Sequence, residues 1–393
     1  MQTKKTINIA VIGTGFMGKT HSYAISNLPF FYENLPFKAV LHTICSRSKQ
    51  KGEQLKNEWG FLYSETSLEK ILANKEIDVI DICTPNMEHF NAIMQALDAG
   101  KHIYCEKPLV ISSKQADLVL EKLENVGRDD PGAPSTSPIC AMVFHTRFAP
   151  AVQRAKQIIN EGKLGEIMTF RCAFRHNSYT KPDKDGGWKR FAENGGGTLA
   201  DLGSHAIDMV RFLCCQNNEI TELSGKSQIY HKVKKFADGT LWRSEADEAF
   251  YITAKLQNGA LGTIEVNKLA IGTNNDFFIE INGEKGALKY SLMQPNFLEF
   301  YDDTKPNGDY GGEKGFTKIE CVGRFPSPGG GFPGGNNPVG WLRFHMHSAY
   351  MFLDGVYNNR LHDVSPTFYD GAMAQKIMEK AYLSDKTGQW EKV

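Results

Sequence analysis

The sequence predicts an α/β chain: a parallel, doubly wound first domain, then an α+β domain built on a largely antiparallel sheet. Three observations predict it. Ile7, Ile9, Ala10, Val11 and Ile12 form a short, β-branched apolar run of the kind that fills a strand buried on both faces. Similar runs then alternate with helical patterns as far as Phe144, which argues for parallel βαβ units. From Gly165 onward strands follow one another mostly without helices, and Gln257-Asn258-Gly259 and Asn282-Gly283 are hairpin signals.

The first strand runs directly into Gly13, Gly15 and Gly18, the G-x-G-x-x-G spacing. Chemistry asks for glycine at each place: a tight turn, close backbone approach to a pyrophosphate, and close helix–strand contact. A helix from about Met17 to Asn27 then presents free N–H groups and its positive end to the phosphates. We therefore read Gly13, Gly15, Phe16, Met17 and Gly18 as part of a dinucleotide site. Leu28 to Phe37 is an apolar-aromatic excursion, expected to be a surface loop packing on its own aromatics.

Lys38 to Cys45 reads as strand two and Ser48 to Trp59 as a helix. Ile77 to Cys83 is a strand ending in Thr84-Pro85-Asn86, with a helix to about Ala99; Lys101 to Cys105 is another strand, and Ser112 to Asn125 another helix. Gly127 to Pro138 is polar and turn-rich, a surface loop. Ile139 to Phe144 is the last buried strand, and His145 to Pro150 the crossing into the second domain, so the expected division is 1–145 and 146–393. A helix from about Ala151 ends at Gly162. The second domain holds strands Ile167–Arg175, Ile220–Tyr230, Ala249–Gln257, Ala260–Asn267, Phe277–Asn282 and Ala287–Ser291. Lys305 to Gly340 is Gly/Pro-rich and without period, and helices at about Trp341–Tyr357 and Pro366–Leu383 close the chain.

The bulk properties narrow the function. At 393 residues the chain is long enough for two or three domains, and 45 basic residues balance 45 acidic ones. No global field points to nucleic acid or an anionic membrane, and no apolar run is long enough to span one. Of the eight cysteines, Cys45, Cys83, Cys105, Cys140 and Cys172 lie in strand-like runs, and no C-x-x-C occurs. That usage fits a reducing compartment, and the expected location is cytoplasmic.

Chemistry-bearing residues cluster near the ends of predicted strands, where open α/β sheets bind ligands. One group is Thr84-Pro85-Asn86 with His89, another is Glu106-Lys107-Pro108, and a third holds Asp201, His205 and Asp208. On a helix, Asp201 and His205 face the same way at i, i+4, though Gly203 places the expected helix start near Ser204. A carboxylate beside an imidazole suits it for general base work; the plain alternative is a capped histidine with no chemistry. Arg175 to Tyr179 and Lys181 to Arg190, with Trp188, offer hydroxyl donors and an aromatic face, as a carbohydrate needs; the alternative is a solvated loop. His345-x-His347 and Cys214-Cys215 lack zinc spacing, and helical placement turns the two histidines to different faces, so no metal is expected.

The motifs G-T-G-F-M-G-x-x-H, C-T-P-N-x-x-H, E-K-P-L and G-G-G-x-x-x-D-L-G-S-H-x-x-D, in this order, resemble those of the Gfo/Idh/MocA family. These are nicotinamide-dependent oxidoreductases acting mostly on sugars and cyclitols. The resemblance spans about residues 7 to 215 and continues more loosely to the C-terminus. It implies a Rossmann domain followed by an open-faced sheet that holds a sugar-like substrate and supports a homodimer or homotetramer.

Carried over residue by residue, it implies that Lys107 is the active-site lysine, on a cis Lys107–Pro108 bond. His205 becomes the proton acceptor and Asp201 its orienting or substrate-binding partner. Lys107, Arg147, Arg175, Tyr179, Trp188, Asp201 and His205 form the expected substrate set; Thr84, Pro85, Asn86, His89, Glu106 and Lys107 join the glycine turn around the cofactor. His145 stands where the family commonly has Asn. Two other outcomes share this fold: a glycoside hydrolase using transient oxidation, and a regulator that binds the cofactor only as a signal.

Cofactor choice is read from the end of strand two. Ser46-Arg47-Ser48-Lys49 follow it, with no acid until Glu53. A carboxylate would repel a 2′-phosphate, whereas a hydroxyl, a guanidinium and a lysine hold one, so NADP is favoured over NAD. The alternative is that Arg47 stacks on adenine or points to solvent, and both cofactors are taken.

Overall fold

The computed structural model describes residues 4–126, 137–181, 187–215, 218–235 and 238–393. The expected Gly127–Pro138 loop therefore lies outside the described residues except at Ser137 and Pro138, and the Lys181–Arg190 region does so at 182–186. The chain divides into two compact units, Met1–Phe148 with Gly323–Met373 and Ala149–Val322 with Ala374–Val393. The expected division at 145/146 made both parts continuous. Each unit is instead completed by a later segment of the chain.

The first unit is built on β1 (Lys5–Ile12), β2 (Phe37–Cys45), β3 (Tyr63–Glu65), β4 (Val79–Ile82), β5 (His102–Cys105) and β6 (Cys140–Met142). All pair in parallel, in the order β3-β2-β1-β4-β5-β6. This order reverses direction at β1/β4, the place where doubly wound sheets take dinucleotides. The connecting helices are α1 (Phe16–Ser26), α2 (Leu28–Phe31), α3 (Lys49–Trp59), α4 (Leu68–Ala73), α5 (Asn86–Asp98) and α6 (Ser113–Asn125). Ser48, Ser67 and Ser112 cap α3, α4 and α6 by accepting backbone N–H groups. Helices α1 and α5, which start beside the reversal point, carry no side-chain cap. The sequence reading passed over β3 and α4, which are too short for a hydrophobic period to register.

In the second unit, α7 (Pro150–Asn160) precedes β7 (Ile167–Arg175), and α8 (Ser204–Cys214) precedes a run of strands. These are β8 (Ile220–Gln228), β9 (Val233–Lys235), β10 (Leu241–Arg243), β11 (Ala249–Leu256), β12 (Leu261–Asn267), β13 (Asp276–Gly283), β14 (Gly286–Ser291), β15 (Phe297–Asp302) and β16 (Phe316–Glu320). Apart from the β9–β10 ribbon, they form a sheet ordered β16-β15-β14-β13-β7-β12-β11-β8, which the terminal β17 (Glu391–Lys392) extends next to β8. Only the β7–β12 pair is parallel within this sheet. Both hairpin signals hold: Asn258-Gly259 joins β11 to β12, and Asn282-Gly283 ends β13 before β14.

Burial alternates along β13, with Phe277, Ile279 and Ile281 inside, and α7 and α8 pack on the sheet. Strand β16 falls within the segment expected to be structureless; it is a mostly exposed edge strand with little apolar pattern to read. A π-helical turn, Leu199–Gly203, runs straight into α8, so helical structure starts before the expected Ser204.

The chain returns to the first unit with α9 (Trp341–Asn358), and α10 (Phe368–Thr387) crosses the break at 373/374. From α9, Met346, Ala349, Tyr350, Phe352, Leu353 and Val356 join Ile7, Ile9 and Val11 of β1 in one core. The aromatic excursion is part of that core, which corrects the expectation of a self-packed surface loop. Tyr32 is 2% exposed and stacks on Tyr350 with ring centroids 4.1 Å apart. Its hydroxyl accepts from Arg343 Nη1 at 2.6 Å and lies 2.8 Å from His347 Nδ1. Arg343 has only donors, so the Tyr32 O–H is left to donate to His347.

Candidate active site

At the reversal point of the first sheet, the three glycines do different work. Gly13 sits at φ +112°, and a Cβ there would meet the Cys83 carbonyl oxygen at 2.6 Å. A Cβ on Gly18 would lie 2.1 Å from the Gly13 oxygen. Gly15, the residue before α1, has nothing within 4 Å of its Cβ position. The first and third glycines thus let the helix close on the turn, while the second leaves open space before the uncapped N-terminus of α1. Opposite, at the end of β4, Thr84 Oγ1 is buried without a hydrogen-bond partner, and Pro85 and Asn86 open the equally uncapped α5. Helix starts without side-chain caps, open space and an orphan hydroxyl at a β1/β4 reversal suit a dinucleotide's phosphates. Phe16 is 73% exposed beside this turn, and Met17 packs inward on the core.

His89 was grouped with the cofactor residues; the structure turns it inward. Its ring nitrogens lie 2.8 Å from the Pro108 carbonyl and 3.0 Å from the Thr84 carbonyl, and burial holds its pKa below the ordinary value. It ties together the two loops that carry the site.

At the end of β2, Ser46 is buried and its Oγ accepts the Ser48 N–H at 3.4 Å, while Arg47 is exposed. The first acid after the strand, Glu53, is held by Lys56 at 2.6 Å and by Ser64. Glu65, paired with Cys45 across β2 and β3, is a nearer acid that the linear reading missed because a neighbouring strand supplies it. Its carboxylate accepts the Thr66 and Ser67 N–H groups at 2.7 and 3.2 Å, which lower its pKa.

Beyond β5, Lys107 follows Glu106, and the Lys107–Pro108 bond is cis, as the resemblance implies. Glu106 is 5% exposed and turned into the interior. One oxygen lies 3.1 Å from His21 Nε2, and the other accepts the Lys107 N–H at 3.2 Å. His21 Nδ1 lies 2.8 Å from Asp81 of β4. His21 closes the G-T-G-F-M-G-x-x-H motif with no role assigned to it, and Asp81 was not singled out. The signals were present: a histidine three residues past the last glycine, and a lone carboxylate inside an apolar strand.

His145 stacks on His345 with centroids 3.9 Å apart, and burial takes its pKa down to about 3. His345 and His347 go to separate clusters, as their spacing predicts. Among the described residues, His21 with Asp81 and Cys83, and His21 with Glu106 and His345, bring ligand-type atoms within 4.8 Å of one another. Arg147 is 4% exposed, with its guanidinium 3.4 Å from Asp370.

In the second unit, the π-helical turn carries Asp201 and the first turn of α8 carries His205. The Asp201 carboxylate accepts from Lys189 at 2.8 Å and from Lys268 at 2.7 Å. Lys268 Nζ also sits 4.5 Å above the ring of Tyr179, which is itself buried. Burial works against the Lys268 charge, but Asp201 and Tyr179 outweigh it and raise its pKa. His205 is buried, edge-on to Phe174 at 5.9 Å, and Asp208 is buried one turn later.

Behind Asp201, Asp247 accepts from the Leu199 N–H and the Tyr382 hydroxyl, and burial raises its pKa. Arg175 pairs with Asp276 at 2.8 Å, and half-buried Trp188 lies on the turn with Lys189. The sequence reading found Asp201, His205 and Tyr179 but not Lys268. A lysine directly after strand β12 looks like a solvated strand end until burial is known.

The comparisons agree with this geometry. Residues 7–128 match the model for the oxidoreductase family with an NAD-binding Rossmann fold, and residues 152–289 match that for the Gfo/Idh/MocA C-terminal domain. A levoglucosan dehydrogenase from Pseudarthrobacter phenanthrenivorans is 26% identical over 98% of both chains. A glucose-6-phosphate 3-dehydrogenase from Bacillus subtilis is 26% identical over 97% of both. Among solved structures, an oxidoreductase domain protein from Kribbella flavida superposes with a TM-score of 0.91 over 99% of both chains at 26% identity. A levoglucosan dehydrogenase in complex with NADH and levoglucosan gives 0.89 at 26% identity, covering 99% of this chain and 100% of that one. With both family models matched in order and the glycine turn and Lys107 in place, this chain belongs to the Gfo/Idh/MocA family and is a nicotinamide-dependent oxidoreductase.

Proposed function

We propose that the chain moves a hydride between a secondary alcohol or ketone of a sugar, sugar derivative or cyclitol and the nicotinamide cofactor. The observation that carries this is Asp201, fixed by two lysines one helical turn before His205, on a sheet with aromatic and polar side chains around it. Sugar recognition needs such fixed acceptors and apolar faces, here Tyr179 and Trp188, with Arg175 as a donor. The similar levoglucosan and glucose-6-phosphate dehydrogenases support that substrate class.

A nicotinamide, when bound, would supply the hydride acceptor or donor. The chain's own residues manage the oxygen. His205 takes the hydroxyl proton as the carbinol is oxidised, and the Lys107 charge favours the alkoxide-like oxygen as it develops. Asp201 accepts a substrate hydroxyl and keeps the sugar oriented. In reduction the same groups return the proton.

The end of β2 supports a preference for NADP over NAD: Arg47 is exposed, and both nearby carboxylates, Glu53 and Glu65, are already engaged. The half-exposed face of the second sheet, with Phe278, Glu280 and Lys289 on it, supports a homodimer or homotetramer assembled there. Eight free, buried cysteines support a cytoplasmic location.

The test is a panel of monosaccharides, anhydrosugars and inositols assayed by nicotinamide absorbance with both cofactors. Turnover with one class establishes the reaction. Release of an aryl leaving group without net cofactor reduction would make the chain a glycoside hydrolase, and no turnover with cofactor bound would make it a sensor.

A further inference from the structure

Beneath Lys107, entirely within the first unit, lies a chain of buried polar groups that the reaction just proposed does not use. His21 is 1% exposed, Asp81 0% and Glu106 5%. His21 sits between the two carboxylates, with Nδ1 2.8 Å from Asp81 and Nε2 3.1 Å from Glu106. A neutral imidazole has one N–H and would aim its lone pair at a carboxylate oxygen. With both carboxylates ionised, both contacts are satisfied only if both nitrogens carry protons. Two buried carboxylates without a cation would be far costlier than this bridged set.

The other groups facing His21 are Cys83, 3.2 Å from Nδ1, and the rings of Tyr104 and His345 at 5.2 and 5.9 Å. None offsets the two negative charges, since burial keeps the Cys83 thiol protonated. The far oxygen of Glu106 accepts the Lys107 N–H at 3.2 Å. The lysine's own backbone is therefore the end of the chain.

We propose that His21 is a positioning residue for Lys107, acting through Glu106: it anchors the carboxylate that fixes the backbone from which the lysine side chain projects. This rests on the reading of Lys107 as the active-site lysine. Losing the bridge leaves Glu106 free to turn, and a displacement of about 1 Å at a catalytic group can cost on the order of a hundredfold in rate.

The test is a double-mutant cycle in kcat between His21→Asn and Lys107→Ala, with cofactor Kd and thermal stability measured on each variant. His21→Asn is expected to lower kcat about tenfold or more with cofactor Kd little changed, and to add little once Lys107 is alanine. Adding Glu106→Gln to His21→Asn removes one of the two uncompensated charges, the one next to Lys107, and is expected to recover part of kcat. Additive losses in the cycle would overturn the inference while leaving the role of Lys107 standing. A Lys107→Ala enzyme with normal kcat would instead sink the reading beneath it.

If His21→Asn proves too unstable to assay, the imidazole ¹⁵N spectrum of the wild type decides the bridge. Two protonated nitrogens at neutral pH support it. A stoichiometric metal bound to the His21 Nε2 lone pair, with Glu106 and His345, would overturn it.

Discussion

Lys268 holds Asp201. Its ammonium lies 2.7 Å from the carboxylate, and the lysine is 2% exposed although it carries a charge. A buried lysine is retained only where a partner compensates its desolvation, and here the partner is the residue expected to receive the substrate. Truncating it to Lys268→Met removes the buried lysine from Asp201 and leaves the more exposed Lys189. Breaking such a pair is expected to cost about 3 kcal/mol of stability. The variant's kcat/KM for the best sugar should fall while cofactor Kd stays put. Thermal melts and steady-state kinetics on one preparation check both parts; a loss confined to stability would make the pair a purely structural one.

The glycine turn allows a sharper comparison. Alanine at Gly18 would place a methyl 2.1 Å from a backbone oxygen, so Gly18→Ala should destabilise the first unit. Alanine at Gly15 meets nothing within 4 Å and needs no unusual φ, so Gly15→Ala should fold normally. Its methyl would nonetheless occupy the space before the α1 N-terminus. Cofactor titration should show Gly15→Ala binding at least tenfold more weakly at unchanged melting temperature. Tight binding by Gly15→Ala would mean that the phosphates lie elsewhere.

Acid sensitivity follows from two buried histidines. Burial lowers His145 to about 3, and burial with Arg343 lowers His347 to about 3, so both stay neutral in the folded chain. In the unfolded chain each titrates near 6.5. A depressed folded value means that their stability is fully present above about 6.5 and is lost as pH falls towards 3. His347→Phe keeps a ring against Tyr32 and Tyr350 but removes one titration. The fall in melting temperature between pH of about 6.5 and 4 should therefore be shallower in His347→Phe than in the wild type. An equally steep fall would assign the acid limb to carboxylates instead.

How far the sequence could be read depended on the length of its patterns. The apolar runs at Ile7–Ile12 and Val79–Ile82, with the glycines between them in space, were long or distinctive enough to place the first sheet and its ligand edge. So were the hairpin signals at Asn258-Gly259 and Asn282-Gly283. What escaped were side chains whose role depends on burial: Asp81, Lys268 and Glu65 are polar residues that a linear reading treats as solvated, and His21, though it closes a motif, shows its carboxylate partners only in the fold. Glu106 and His89 stand out by their motifs, but that both face the interior is not legible in the sequence. Tyr32 shows the same limit on the apolar side, since its partner Tyr350 is over three hundred residues away.

Cofactor choice is where those two kinds of information meet. Arg47 is exposed after β2, and Ser46 beside it keeps a buried hydroxyl. Glu65 is the acid nearest the strand end, and an unengaged carboxylate there would accept a ribose 2′-hydroxyl and favour NAD. Its Oε1 is instead committed to the Thr66 and Ser67 N–H groups just before α4, while Oε2 lies 3.8 Å from Lys70. A 2′-phosphate would meet the Arg47 guanidinium through charge-assisted hydrogen bonds. Arg47→Ala should therefore weaken NADP much more than NAD, measured as kcat/KM for both cofactors with one good substrate. Glu65→Gln should leave the ratio nearly unchanged, because its carboxylate serves the backbone. A wild-type preference for NAD of tenfold or more, about 1.4 kcal/mol in transition-state terms, would show instead that Arg47 stacks on the adenine or faces solvent.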